Sequence, residues 1–374
     1  MPEKLNSTGC RKNPVFAVRY SAFTGFIIMY LMLSFIISSC DIERDESNWV
    51  NENSLSISQF IEINQKEFSK FYRLMAESKM LNTLYAYNPY GNDYTLFLPT
   101  DEALDNFMQQ NQKYTSFEEL IRDTGFIKTL VRYHTISNKL HTDEFSDGAL
   151  TDKTLTGDRI VTRFYTDGNK QIIKVNNDAV VTKPNLKMTN GYIHVVSGVL
   201  KKKEISGYDW LQQQKDYSIL ANAVKLSGLS SRLWWDKYTI LAEHDSVYRK
   251  KGINSVEDLI ARIGTPGMAV NNRNNAFYLF AAYHFLGGEY YLNDFNWGIK
   301  KYTTLATGNS LTIDVGVEIK INTGIDTYEH TSNTGESVLI NYIRPLWDDS
   351  NVMTSTGAIH SVSDILHYQP WPKK

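Results

Sequence analysis

Cysteine is nearly absent from this 374-residue chain: its two cysteines, Cys10 and Cys40, both lie close to the N-terminus. The remainder has no thiol for a disulfide, a zinc cage or a nucleophile, and must hold its fold through an apolar core. An excess of either charge is missing too. Lys plus Arg (39) nearly cancels Asp plus Glu (41), leaving a formal net charge of -2 at pH 7. No global field draws in a polyanion, and nucleic acid is not an expected partner. No His-Glu-x-x-His, Gly-x-Ser-x-Gly or glycine-rich phosphate loop occurs. An enzyme is therefore the weakest class, and no cofactor is expected.

The composition that is present is that of an ordinary globular protein. A hydrophobic fraction of 42% and a charged fraction of 21% exclude both a disordered chain and a membrane bundle for the body. The length predicts two domains once any leader is set aside. Aromatics make up 13%, with 23 Tyr, which suits thick cores and ligand-contacting surfaces equally.

The first segment has the pattern of an export signal. Lys4, Arg11, Lys12 and Arg19 precede an almost uninterrupted apolar run from Ala22 to Ile37, as an n-region precedes an h-region. The run ends in Ile37-Ser38-Ser39-Cys40, which resembles the lipobox of bacterial lipoproteins. That resemblance implies a signal peptide over residues 1–39 and a lipidated Cys40 at the head of a polar tether over 40–56. It also implies a lipid anchor in a bacterial outer membrane, with the body exposed at the cell surface. The competing reading is an uncleaved signal anchor with a chance cysteine. The acidic run Asp41 to Glu46 reads either as a surface-export tag or as a solvated tether.

Beyond the tether, one order of elements occurs twice. Ile57, Phe60, Ile61, Phe68, Phe71, Leu74 and Met75 have a broadly helical spacing. Tyr94 to Leu98 reads as a buried strand closed by Pro99, with Thr100 as the N-cap of a following helix. Ser116-Phe117-Glu118-Glu119 reads as a capping box, and a third helix ends at Tyr133-His134. Asp167-Gly168-Asn169 marks a hairpin turn, and Gly191 to Leu200 a final, central strand pair. Tyr94 to Leu98, Tyr133-His134, Leu155 to Gly157 and Gly191 to Val196 return as Tyr238 to Ala242, Tyr283-His284, Leu305 to Gly308 and Gly357 to Val362. Four landmarks in one order indicate an internal repeat, the second copy carrying loop insertions.

These landmarks resemble the fasciclin family, the FAS1 domains of adhesion and matrix proteins. Thr95 to Ala103 is similar to its first conserved box, Tyr133-His134 to its central Tyr-His motif, and Thr189 to Val195 to its second box. In the second copy the first box reads Thr239-Ile240-Leu241-Ala242-Glu243-His244-Asp245, without the Pro-Thr-Asp core. The resemblance implies an α+β fold of two tandem fasciclin-like domains, over 57–203 and 207–374, each a β-strand wedge flanked by short helices. It further implies adhesion or ligand binding without a catalytic residue. In animal members an acidic motif before the second box is linked to integrin contact; Asn185 and Asn351 stand where such motifs carry Asp. An amide cannot be the anionic ligand to a metal, so that activity is not carried over.

Tyr133, His134, Tyr283 and His284 are the candidate contact positions, set against an imidazole that only caps backbone groups inside the domain. His194 and His360, on the presumed central strands, meet the same alternative. Trp234 and Trp235, and the aromatics Tyr290, Tyr291 and Phe295 to Trp297, are candidate sugar platforms or core. His134, His141, Asp143 and Glu144 fit no recognised metal-ligand spacing, and no metal is expected. The expected activity is non-catalytic contact with matrix, cell-surface or envelope ligands, protein or glycan. The alternative is a glycan-capture accessory to an outer-membrane transporter.

Overall fold

The computed structural model describes residues 54–86, 91, 93–111, 113–168, 170–233, 237–321 and 343–366. The signal segment, Cys40, most of the tether, Trp234 and Trp235 lie outside the described residues. Both copies of the repeat belong to one compact unit that begins at Asn51.

Helices Ile57–Ile63, Gln65–Glu77 and Leu81–Tyr85 open the first copy. Ser56 caps the first with a reciprocal box: its hydroxyl accepts from Gln59 N–H, and the Gln59 side chain accepts from Ser56 N–H. The apolar stripe read from the sequence faces inward, with Phe60, Phe68, Phe71, Leu74 and Met75 all buried. Ser116 does cap helix Phe117–Arg122, but the expected reciprocal box is displaced by one residue. The Glu119 carboxylate takes Thr115 N–H and Oγ1–H, both at 2.8 Å, instead of Ser116 N–H.

The sheet of the first copy has seven strands in the order β2-β1-β7-β6-β5-β4-β3. These are β1 (Tyr94–Pro99), β2 (Thr135–Ile136), β3 (Gly148–Lys153), β4 (Arg159–Asp167), β5 (Lys170–Val175), β6 (Ala179–Met188) and β7 (Gly191–Val196). The central β1 and β7 run parallel, pairing Tyr94 with Gly191 through Pro99 with Val196. Both are almost continuously buried, as strands covered on both faces must be. The segment Gly191 to Leu200 holds one strand and not the expected pair, because the chain leaves the sheet after Val196 and spends Leu200 N–H on the ring of His134.

The second copy repeats this order. Its described strands are β8 (Tyr238–Glu243), β9 (Phe285–Gly287), β10 (Gly298–Thr303), β11 (Ser310–Val315), β12 (Ile319–Ile321), β13 (Val352–Thr354) and β14 (Gly357–Val362). They form sheets β13-β14-β8-β9 and β10-β11-β12. β14 lies parallel to β8, with Gly357 opposite Tyr238 just as Gly191 lies opposite Tyr94. The bridges Ile136–Thr154 and Leu286–Thr304 also correspond. One expected insertion is visible: Asp123 alone separates two helices in the first copy, whereas residues 264–275 separate Val256–Ile263 from Ala276–Tyr283 in the second.

The first box survives in the second copy further than its sequence implies. Asp245 occupies the place of Asp101 and does the same work. Asp101 accepts from Ser69 N–H and Oγ–H and from Lys70 N–H, while Asp245 accepts from Ser218 Oγ–H and Ile219 N–H. Each carboxylate pins the start of β-strand-to-helix passage onto a second helix, a charge-assisted contact that a neutral residue would not replace.

Gly191 and Gly357 are required by the parallel pair. Their φ angles are 151° and 139°, and a Cβ on either would sit 1.9 Å from the carbonyl oxygen of Tyr94 or Tyr238. Gly168 in the hairpin turn also has positive φ, yet a Cβ there meets nothing within 4 Å. Gly191→Ala is therefore expected to lose more than ~2 kcal/mol of stability, against about 1 kcal/mol for Gly168→Ala. Equal urea midpoints for the two variants would contradict this reading of the strand pair.

Candidate ligand-binding cleft

The Tyr-His motifs sit inside the scaffold. His134 is fully buried; its Nδ1–H donates to Phe97 O at 2.7 Å, and its Nε2 accepts from Leu200 N–H at 3.0 Å. It ties β1 to the exit of β7. His194 and His360 are matched in the same way: each accepts at Nδ1 from the N–H of Asn185 or Asn351, and donates from Nε2 to the carbonyl of Leu140 or Tyr290. These asparagines hold φ near 60°, a conformation that Asn tolerates better than most residues. Their side-chain oxygens accept from Thr142 N–H and Leu292 N–H. The amide at both positions is thus explained by the turn it builds.

His284 departs from its counterpart. Glu243 replaces Pro99 at the end of the strand, and its fully buried carboxylate lies between the ring and the chain exit. It meets His284 Nε2 at 2.9 Å, Leu366 N–H at 2.8 Å and the Tyr248 hydroxyl at 3.0 Å. The second copy has exchanged a ring-to-backbone bond for a buried ionisable network in which each member satisfies another. Of the four remaining aromatics named from sequence, Tyr291 and Phe295 are buried, Tyr290 is half-buried and Trp297 is 75% exposed. His141 pairs with Asp143 at 2.6 Å, away from His134, and no cluster of metal-ligand type occurs among the described residues.

The two tyrosines of the motifs point to different destinations. The Tyr283 hydroxyl donates to Ser310 O inside its own copy. The Tyr133 hydroxyl accepts from Asn176 Nδ2–H at 3.0 Å and reaches Met353 Sδ of the other copy at 3.6 Å. Around that contact the copies dock. Arg159 grips Asp294 with two bonds, 2.5 and 2.9 Å, and lies over the Tyr291 ring with its guanidinium carbon 5.3 Å from the centroid. Asn293 pairs with Ala149 as a peptide would, its Oδ1 accepting from Ala149 N–H at 3.0 Å and its Nδ2 donating to Ala149 O at 2.8 Å. It thereby covers the free edge of β3. Gly148 makes room for it, since a Cβ there would fall 2.0 Å from Asn293 Oδ1. Arg163 completes the contact by donating to the carbonyls of Trp347, Asp348 and Ser350 at 2.6–2.8 Å.

Beside this contact lies a cleft of about 560 Å³ whose walls come from both copies. Its lining includes Tyr133, Arg159, Tyr291 and Met353, the lysines Lys153, Lys202, Lys203 and Lys237, and the acids Asp158, Glu289 and Asp294. Burial, before any other cause, pushes the Tyr133 and Tyr291 phenols up, so both hydroxyls remain protonated hydrogen-bond donors at neutral pH. Of these residues Tyr133 and Tyr291 stood out in the sequence, and the polar groups that dock the copies did not. Arg159, Asn293 and Asp294 belong to no motif, and their pairing across about 135 positions has no local signature.

Residues 66–202 match the model of the fasciclin domain. This stretch is a fasciclin domain. The chain is similar to the transforming growth factor-beta-induced protein ig-h3 of Sus scrofa, at 22% identity over 73% of this chain and 34% of that protein. It is 28% identical to periostin of Homo sapiens over 56% of this chain and 23% of periostin. It is 22% identical to the fasciclin-like arabinogalactan protein 15 of Arabidopsis thaliana over 48% of this chain and 38% of that protein. The matched stretch thus spans well under half the length of each relative. Among solved structures, a FAS1 domain pair from the insect cell adhesion molecule Fasciclin I matches 80% of this chain and 96% of its own, at 16% identity and a TM-score of 0.35. The tandem α+β architecture itself is visible directly in the strand order of the two copies.

The fasciclin scaffold is set to weaken in acid. Burial lowers His134, His194 and His360 from the ordinary 6.5 to about 4 each. The unfolded chain binds these protons first, so stability is full above about pH 7 and falls as pH drops through 6.5 toward 4. Urea midpoints should decline between about pH 7 and pH 5. A flat profile there would show that these rings do not resist protonation.

Proposed function

We propose that the chain is a non-catalytic binding and adhesion protein, held at the surface of a bacterial cell by a lipid on Cys40. Its two docked fasciclin-like domains would then meet matrix, cell-surface or envelope ligands. The observation that supports this most directly is the fasciclin domain at residues 66–202, a domain also present in a named cell adhesion molecule. The Tyr-His motifs support the same reading. Their imidazoles are consumed inside the scaffold, His134 on Phe97 O and His284 on Phe280 O of its own helix and on Glu243 of β8, so contact with a partner falls to the outer surface and to the cleft between the copies. A single docked body also favours avidity, because both copies present their surfaces at fixed separation.

The anchor is tested by Cys40→Ala. Metabolic labelling with a fatty acid should mark the wild-type chain and not the variant, and the variant should leave the membrane fraction or retain its leader. Cells displaying the wild type should be retained on a polymer-coated surface several-fold better than cells displaying Cys40→Ala. Unchanged lipid labelling of the variant, or equal retention, would overturn the anchored-adhesin reading.

A further inference from the structure

The cleft between the copies combines three properties that belong to a ligand site. It is concave, with a volume of about 560 Å³, inside the range of small-ligand pockets, and such pockets favour junctions between domains. Its walls are held in place by Arg159–Asp294 and Asn293–Ala149, so its shape exists before any ligand arrives. Its charge is positive on balance, with Lys153, Arg159, Lys202, Lys203 and Lys237 set against Asp158, Glu289 and Asp294. Lysines enter from three separate places: Lys153 from β3, Lys202 and Lys203 from the connection between copies, and Lys237 from the approach to β8.

Asp178 holds Lys203 at 2.7 Å with both side chains largely buried, but the carboxylates beside the other lysines do not neutralise the rim tightly. Lys202 meets Asp158 at 3.0 Å and Lys237 meets Glu289 at 3.7 Å, with both lysines more than half exposed. Exposed pairs of this kind are worth little and yield readily to a competing anion. Lys153 forms no ion pair among the described residues. Between the lysines the wall offers the hydroxyl oxygens of Thr151, Thr354 and Ser355. The aromatic rings in the cleft, Tyr133 and Tyr291, are both buried, and the guanidinium of Arg159 lies over Tyr291. A nucleobase would therefore find no open face on which to stack. Lysines are also point charges spread over three elements, unlike the converging N–H groups or forked arginines that seize a single phosphate.

We infer that this cleft binds a short anionic oligosaccharide, its separated carboxylates meeting the lysine rim and its hydroxyls meeting the threonine and serine oxygens. The inference rests on the binding reading above and names the ligand class for one site within it. Binding would bridge the two copies and stiffen their junction.

The test is calorimetric titration of the purified protein with trigalacturonate, alongside maltotriose, inorganic phosphate and anionic phosphatidylglycerol vesicles. Trigalacturonate should bind at one site and weaken as salt rises. A Lys153→Ala/Lys237→Ala variant with an unchanged thermal midpoint should bind it about tenfold more weakly or less well still. Lys66→Ala, a surface lysine outside the cleft, should bind as the wild type does. Absence of trigalacturonate binding, equal binding of maltotriose, preference for phosphate or vesicles, or unchanged affinity in the double variant would each overturn the inference. Surface retention separates the two proposals. Normal adhesion by a wild-type protein that fails to bind trigalacturonate refutes the cleft alone, whereas intact cleft binding without adhesion refutes only the adhesive reading.

Discussion

The docking of Arg159 onto Asp294 is the contact on which the molecule's functional shape depends. The two side chains are 17% and 22% exposed, and the guanidinium also donates to the carbonyls of Leu150 and Ala149. A forked, largely desolvated pair of this sort has a strict geometry, and removing one partner leaves the other charge stranded. Asn293, next in sequence, closes the edge of β3 in the same movement. One three-residue turn of the second copy therefore sets the angle between the copies, protects an exposed sheet edge and forms one wall of the cleft.

The same turn exists in the first copy as Thr142–Glu144. The repeat has thus been specialised by small changes. Thr142 donates nothing across copies but gives its hydroxyl to Asn185, accepting from Nδ2 at 2.7 Å. Leu292 in the matching place has no hydroxyl, and the Nδ2 of Asn351 has no hydrogen-bond partner among the described residues. Glu243 for Pro99 lengthens the buried polar network around His284. The first change carries an energetic cost in polar satisfaction, whereas the Glu243 carboxylate finds partners in His284, Tyr248 and Leu366 N–H.

Much of the scaffold was legible in the sequence because its signals are local. Capping residues such as Thr100, the Asp-Gly turn at 167–168 and the apolar run of Tyr94 to Leu98 each report on a few neighbouring residues. The Tyr-His and Gly-Tyr-Ile-His landmarks gave the repeat through their order. Asp245 was undervalued because the residues around it, Glu243 and His244, had changed; its role depends on a contact with Ser218 that no short window contains. The cleft was illegible for the same reason. Its lysines are ordinary surface residues until the second copy is placed against the first, and that placement is decided by Gly148, Arg159 and Asn293, whose partners lie more than a hundred residues away.

The cleft exists only if the two copies move as one docked body. The most direct measurement is the distance distribution between spin labels at Lys66→Cys and Glu257→Cys, in a chain whose native cysteines are replaced. One narrow distribution is expected for the otherwise native protein, broadening when Arg159→Ala and Asn293→Ala are introduced together. A broad distribution in the native protein, unchanged by those substitutions, would contradict the docked arrangement.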